Sequence, residues 1–374
     1  MKFAPFLCAA ALLPLAACNA SSDNKAASQE KAEAAPKKAE WTGDGMTSRD
    51  DATAVDDVAR PDMQLQVVLD RLGFSPGVVD GKMGASTVNA LRGFQAANDL
   101  TVSGERDDAT VAALRQWERI SATRLVTIPA SYAEASFVPI PEKASERAKL
   151  AAMGYESVLE KLAERFHTTP EVLKALNPDA AFAALVADPA KAAPPVIAAG
   201  TSLRVPNVGA DAIVAADVDN ADWLATLASL GVGTDQPDAE RIEVSKKAGT
   251  MKVFDAGGKL IALFTVTTGS RHDPLPIGNW KVKGVGRNPD YAFNPALLRD
   301  VPASEGKHRL PPGPNSPVGV VWVDLNKEHY GLHGTPEPQA IGRSESNGCV
   351  RLTNWDAARL AQMVSVGTKV DFVA

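Results

Sequence analysis

The chain has 374 residues, of which 45% are hydrophobic and 22% charged, and its formal net charge is −6. That length exceeds one ordinary domain and implies two or three. Mild acidity without a basic patch gives no support to nucleic acid as a partner, and three cysteines with no C-x-x-C pair or His-rich cluster argue against a structural metal.

Residues 1–17 join a basic Lys2 to an apolar run from Phe6 to Ala17. The run is too short to cross a bilayer as a helix and suits a secretory signal. Its end, Leu15-Ala16-Ala17-Cys18, resembles the bacterial lipobox. This implies cleavage before Cys18 and lipidation of that residue, the alternative being a plain signal that happens to contain a cysteine. Several acyl chains anchor firmly where one binds marginally, so a bacterial membrane is an expected partner. Asn19, where Asp would favour the inner membrane, points to the periplasmic side of the outer one. Residues 18–60 are rich in Ala, Lys, Glu, Asp and Ser, as in KAASQEKAEAAPKKAE. With little to bury they are expected to form a disordered tether, a helix being the alternative.

Residues 61–118 form a first unit. MQLQVVLDRLGF sets Leu65, Val68, Leu69 and Leu72 on one helical face. STVNALRGFQAANDL gives a second helix with Ser86 as N-cap and Val88, Leu91 and Phe94 inward, and DDATVAALRQW a third capped by Asp107 or Asp108. Periodicity alone implies a small three-helix bundle. Asp80-Gly81, Gly84, Thr87, Phe94-Gln95 and Gly104 stand where the helical peptidoglycan-binding module has them, and the segment closely resembles that module. The resemblance implies glycan binding; the residues themselves read as turn and core positions.

A linker, 119–153, leads to 154–207, where YESVLEKLAERFHTTPEVLKALNP reads as helix, turn, helix. Leu159, Leu162, Ala163 and Phe166 form the stripe, and Thr169 with Pro170 starts the second helix. An Ala/Pro-rich insert and a short strand in AAGTSLRVPNV follow. This resembles a degenerate α+β LysM module lacking its first strand. His167 reads as a surface or helix-end residue. A second linker covers 208–238.

From 239 to 374 the pattern turns to strands: RIEVS, TMKVF and LIALFT, then GNWKVKGVG, VGVVWVDL and TKVDFV. NWDAARLAQMVSVG is helical, capped by Thr353 or Asn354, with Asp356 in the first turn and Gly367 past the end. A β-rich sandwich or barrel with one or two helices is expected. Cys349 has no disulfide partner once Cys8 leaves and Cys18 is lipidated, so it is a buried structural thiol or a nucleophile. A nucleophilic thiol needs a base and donors for an oxyanion. His333, in YGLHGTPEP, is the best base of five histidines, and the Pro/Gly-rich segment after it suits a loop that folds back. The amides of Asn347, Gly348 and Cys349 are the candidate oxyanion donors. Arg351 points to the same side as Cys349 if the segment is extended.

HGT, the later SNGCVRL and the upstream DPLPIGNWKV closely resemble the L,D-transpeptidase catalytic domain of the YkuD type. The resemblance implies Cys349 as nucleophile, His333 as general base with its ring oriented by the Gly334 carbonyl, and no metal or other cofactor. It implies peptidoglycan stem peptides as substrate, with an amine acceptor that includes, as one option, an outer-membrane protein. Ser346, Thr335, His272 and His308 are expected along the substrate cleft, whereas His329, Tyr291, Tyr330 and Trp322 read as surface or packing residues. One departure is Asn347, where the family has His. A hydrolase of the same thioester chemistry and a non-catalytic wall–membrane tether remain alternatives.

Overall fold

The computed structural model describes residues 47–49, 56–133, 137–178, 182, 198–208, 213–298, 301–346 and 348–374. The signal segment, Cys18, Asn19, most of the tether and Asn347 lie outside the described residues.

Alternation of apolar and polar residues builds the large sheet. The elements β4 (Arg241–Ser245), β5 (Thr250–Phe254), β6 (Leu260–Thr265), β7 (Gly278–Arg287), β10 (Val321–Leu325), β11 (Gly331–His333), β12 (Val350–Arg351) and β13 (Lys369–Val373) pair in the order β12-β11-β10-β7-β13-β4-β5-β6. Most neighbours are antiparallel, but β13 runs parallel to β4 and β11 parallel to β12. A hairpin of β8 (Tyr291–Phe293) and β9 (His308–Leu310) is inserted between β7 and β10. One concave face packs on the helix α9 (Asn354–Met363), whose Trp355, Ala358, Leu360 and Ala361 are fully buried in the core. Thr353 caps this helix by accepting from the Asp356 amide at 3.1 Å. The helix stops at Met363 and Gly367, expected just past its end, forms a separate turn at φ +101°.

Three helices, α1 (Pro61–Arg71), α2 (Ala85–Ala97) and α3 (Asp108–Leu114), make the first unit. Asp107 caps α3, but α2 starts at Ala85 behind Gly84, which leaves Ser86 inside the helix rather than capping it. The bundle's core is shared with the large sheet: Leu65, Leu69, Phe74, Leu91 and Phe94 cluster with Leu260 and Leu263 of β6. Phe74 and its neighbours also satisfy the outer edge of β6, with the Ser75 amide donating to Leu263 O (2.8 Å) and the Leu263 amide to Gly73 O (3.1 Å). An otherwise open strand edge is thereby covered.

The stretches read as linkers carry structure. β2 (Thr123–Thr127) pairs antiparallel with β3 (Ser202–Pro206) and, on its other side, with β1 (Thr47–Arg49) from the segment read as tether. Two short helices, α4 (Ala130–Ala133) and α5 (Ala144–Arg147), precede α6 (Val158–Arg165) and α7 (Pro170–Leu176). Between β2 and β3 the chain therefore runs through all four of these helices. TRLVT offers too few residues for its alternation to stand out from a loop. A further helix, α8 (Ala221–Leu230), lies in the second stretch and buries Trp223, Leu227 and Leu230 in the core of the large sheet.

His167 is the largest departure. It is not a surface residue: it is fully buried, at φ +50°, just past α6. The Thr168 amide donates to Ala163 O and the His167 amide to Glu164 O, a Schellman closure that usually places glycine here. The ring makes contacts that repay the left-handed backbone. Nδ1 meets the Asp70 carboxylate at 3.1 Å, Nε2 meets Leu230 O at 2.9 Å, and the ring stacks on Trp355 with centroids 5.0 Å apart. Arg359 of α9 grips the same carboxylate through both guanidinium nitrogens at 3.0 and 3.1 Å. Burial works against the Asp70 charge, but Arg359 and His167 outweigh it and hold the carboxyl well below its usual range. One carboxylate from α1 thus ties together groups from α6 and α9.

Candidate active site

The parallel pairing of β11 with β12 sets Leu332 opposite Val350 and His333 opposite Arg351. Leu332 and Val350 are both wholly buried in the core. Side chains alternate along strands, so Gly331 and His333, together with Cys349 and Arg351, turn to the other face. His333 and Cys349, 16 residues apart in the chain, stand diagonally across the two strands on one side of the sheet. The return loop between them is pinned to the segment just after β6: Gly342 N donates to Thr267 Oγ1 (2.9 Å), Ser346 N to Thr268 O (3.1 Å), and Ser270 N to Ser346 O (3.2 Å).

His333 Nδ1 lies 2.7 Å from the carbonyl of Gly334. A carbonyl only accepts, so Nδ1 carries the proton and Nε2 of the neutral ring has a free lone pair. Trp322 of β10 stacks on the ring at 5.4 Å and fixes its plane. Burial, aided by the Arg351 charge and opposed by the Gly334 bond, lowers the imidazole pKa to about 4. The ring is therefore neutral at neutral pH and able to take a proton.

Cys349 is half-buried, and its Sγ lies 3.7 Å from His329 O. Burial pushes its pKa up, with the Gly331 amide and the Arg351 charge pulling it back. At neutral pH both groups are thus uncharged, a thiol and an imidazole. Gly348 sits at φ +105°, where a Cβ would come within 2.8 Å of the Tyr330 ring. Only glycine lets the loop lie against that ring. Tyr291, on the inserted hairpin, is also near the thiol: its hydroxyl pKa is raised by burial and then by the Cys349 charge.

Several expected cleft residues are turned elsewhere. Ser346 is buried; its Oγ donates to Cys349 O at 2.5 Å and accepts from Gly348 N at 3.2 Å, so it braces the loop instead of facing a substrate. The Gly348 amide, one of the expected oxyanion donors, is thus engaged by Ser346 Oγ. Thr335 is buried and accepts from the Glu337 amide at 3.3 Å. The His308 ring contacts Glu305 O at 2.8 Å within the inserted hairpin, and His272 lies exposed in the turn after Ser270. Trp322, Tyr330 and Tyr291 surround the thiol–imidazole pair as packing; aromatics close to His333 and in the insert are their only trace in the sequence.

Such a constellation suits acyl transfer through a thioester: a thiol, a tautomer-locked imidazole and a nearby cation in a walled cleft. Residues 239–372 match the L,D-transpeptidase catalytic domain family YkuD, and residues 62–114 match a peptidoglycan binding domain family. The chain therefore carries a YkuD-type L,D-transpeptidase catalytic domain and a separate peptidoglycan-binding domain. It is 48% identical over 59 residues to the L,D-transpeptidase YkuD of Bacillus licheniformis, a match covering 16% of this chain and 36% of that protein. It is 41% identical over 138 residues to the L,D-transpeptidase YbiS of Escherichia coli, covering 36% of this chain and 44% of that protein. The chain thus spans about a third to under half the length of these relatives. Among solved structures, an L,D-transpeptidase from Mycobacterium smegmatis aligns at 22% identity and TM-score 0.30 over 36% of this chain and 59% of that one.

Proposed function

We propose that this protein is a peptidoglycan L,D-transpeptidase. His333 Nε2 takes the thiol proton as Cys349 Sγ attacks the carbonyl of the third, L-configured residue of a stem tetrapeptide. The bond to the terminal D-Ala breaks, His333 returns the proton to the departing amine, and a thioester remains on Cys349. An acceptor amine then displaces the thiolate. A stem diamino acid gives a 3→3 cross-link, a lysine of an outer-membrane protein gives a wall anchor, and water gives the carboxypeptidase outcome. The Cys349 amide, with that of Asn347, is the proposed oxyanion donor, and Arg351 supplies positive charge beside the thiol. The observation that carries this reading is the pairing of a locked Nδ1–H tautomer on His333 with a thiol on the same face.

Muropeptide mass spectrometry tests it, using purified protein and a disaccharide tetrapeptide. New dimers with 3→3 links support cross-linking, and tripeptides alone support the hydrolase. Intact tetrapeptide, together with no mass adduct on Cys349 after carbapenem treatment, sinks both.

The same reading extends outward from the cleft. The 61–118 domain holds the enzyme on glycan, and the helix pair α6–α7 followed by strand β3 fits the LysM-like reading of 154–207. Cys18 is the proposed lipidation site, with Asn19 favouring the outer membrane and the protein on its periplasmic side. Cys18→Ala then releases the protein to the soluble periplasmic fraction; retention in membranes overturns the lipid anchor.

A further inference from the structure

The side chain of Asn354, first residue of α9, lies wedged between two backbones. A Cβ at Gly319 would come within 2.0 Å of Asn354 Oδ1, and one at Gly334 within 2.3 Å. Gly334 is the residue whose carbonyl receives the His333 Nδ1 proton at 2.7 Å. The amide group of Asn354 is held from several directions. Its Oδ1 accepts from the Val320 amide at 3.3 Å, and its Nδ2 donates to Pro314 O at 3.1 Å and to Glu164 Oε1 at 2.8 Å.

Glu164 lies outside the catalytic domain, on α6. It is buried, and its second oxygen accepts from the Tyr155 hydroxyl at 3.0 Å. A carboxyl in the interior is costly without strong partners, and beside Tyr155 its partner is Asn354, the side chain packed on the backbone next to the imidazole. Burial, only partly offset by the Asn354 and Tyr155 bonds, raises its pKa to about 8, so at neutral pH it is mostly an uncharged acid. It can be mimicked by a neutral amide.

We propose that Glu164 is a positioning residue for the cleft: through Asn354 it sets the Gly319–Gly334 backbone, and so the carbonyl that locks the His333 tautomer. Glu164 touches no reacting atom. Its effect passes through one hydrogen bond and one van der Waals wedge. A shift of the Gly334 carbonyl by a few tenths of an ångström lengthens the Nδ1 bond and lets the ring sample the tautomer with the proton on Nε2, which cannot serve as base. Helix α6, outside the catalytic domain, is in this view part of the catalytic scaffold.

The inference rests on the proposed thioester chemistry, and the test separates the two. Full-length wild type is acylated by a carbapenem while Cys349 mass and tetrapeptide turnover are followed; no adduct there defeats the chemistry itself. Given an adduct, Glu164→Met removes the acceptor for Asn354 without introducing an unpaired charge. The expected result is an acylation rate constant about tenfold lower at an unchanged KM for tetrapeptide, with a larger Nε2–H population in histidine nitrogen NMR spectra. Glu164→Gln, whose carbonyl oxygen still accepts from Asn354, returns the rate and the NMR signature to within about twofold of wild type. Wild-type kinetics and tautomer in a folded Glu164→Met protein overturn the proposal. If that variant does not fold, Glu164→Asp retracts the same carboxyl by one methylene; a folded Glu164→Asp protein with unaltered tautomer and rate overturns it equally.

Discussion

His333 and His167 are both buried, and each lies flat against a tryptophan, at 5.4 Å for Trp322 and 5.0 Å for Trp355. They differ in what remains of the ring. His167 meets the Asp70 carboxylate with Nδ1 and Leu230 O with Nε2, so both nitrogens are engaged with acceptors. His333 uses Nδ1 on Gly334 O and keeps Nε2 for the cleft. A histidine becomes useful for chemistry through the hydrogen-bonding capacity it leaves open. Burial, aromatic stacking and a fixed rotamer are common to both.

Exchanging the two fates is the strongest test. His333→Gln should lower Cys349 acylation by about 10²–10⁴-fold while the melting temperature stays close to wild type. His167→Gln should do the reverse, lowering stability while each folded molecule acylates at a near-normal rate. A His167→Gln protein that is fully stable yet inactive would break the comparison. Next in size is Asp70→Ala, which removes the buried carboxylate that Arg359 and His167 share and should cost about 3–5 kcal/mol in urea denaturation. Because Arg359 lies on α9 and Asp70 on α1, the whole described unit should lose stability in one transition. A separate early transition confined to 61–118 would show that the modules are energetically independent.

How much of this was legible follows from chain distance. The caps at Asp107, Thr169 and Thr353 and the helices they start are written in four or five consecutive residues, and the structure has them where local chemistry asks. HGT and SNGCVRL likewise mark the strands that carry the cleft. The inter-module core is different: Asp70 meets His167 across 97 residues and Arg359 across 289. Each alone looks like a solvated helix residue, and His167 after α6 looks like a helix end, which it also is. Glu164 and Asn354, 190 residues apart, gave no local sign of their pairing. β2 escaped for another reason, since five alternating residues carry little pattern and the strand is stabilised by β1 and β3 from distant segments.

The pH dependence of stability separates Asp70 from two other buried carboxyls. Asp70 has its carboxyl pKa depressed in the folded state, so its contribution is full above the ordinary carboxylate range near pH 4 and is lost as pH falls below it. Glu164 and Asp356 are raised, to about 8 and about 6, chiefly by burial. The folded state holds those protons more tightly, so stability declines as pH rises from the ordinary carboxylate range to each folded pKa. Between pH 5 and 8 Glu164 should contribute a slope of up to ~1.4 kcal/mol per pH unit. Glu164→Gln should flatten the wild-type curve over that window. Parallel curves would show that Glu164 titrates normally in the folded protein.

The smallest expected effect lies in the cleft, where one cation acts on both partners. The Arg351 charge lowers the His333 pKa and also the Cys349 thiol pKa, against the effect of burial on the latter. Arg351→Gln should therefore move both upward together: the imidazole would stay protonated to a higher pH, and the thiolate would form at a higher pH. Iodoacetamide alkylation of Cys349 in a Cys18→Ala background should slow several-fold at pH 8, and the acid limb of carbapenem acylation should shift to higher pH. An upward shift of the acid limb with no change in alkylation would mean that the guanidinium faces the imidazole alone. In the inter-module core Arg359 closes a carboxylate that has no proton to give, whereas Arg351 acts on the two groups proposed to exchange one. The same residue type stabilises a charge in the first place and in the second sets the pH at which a proton can move.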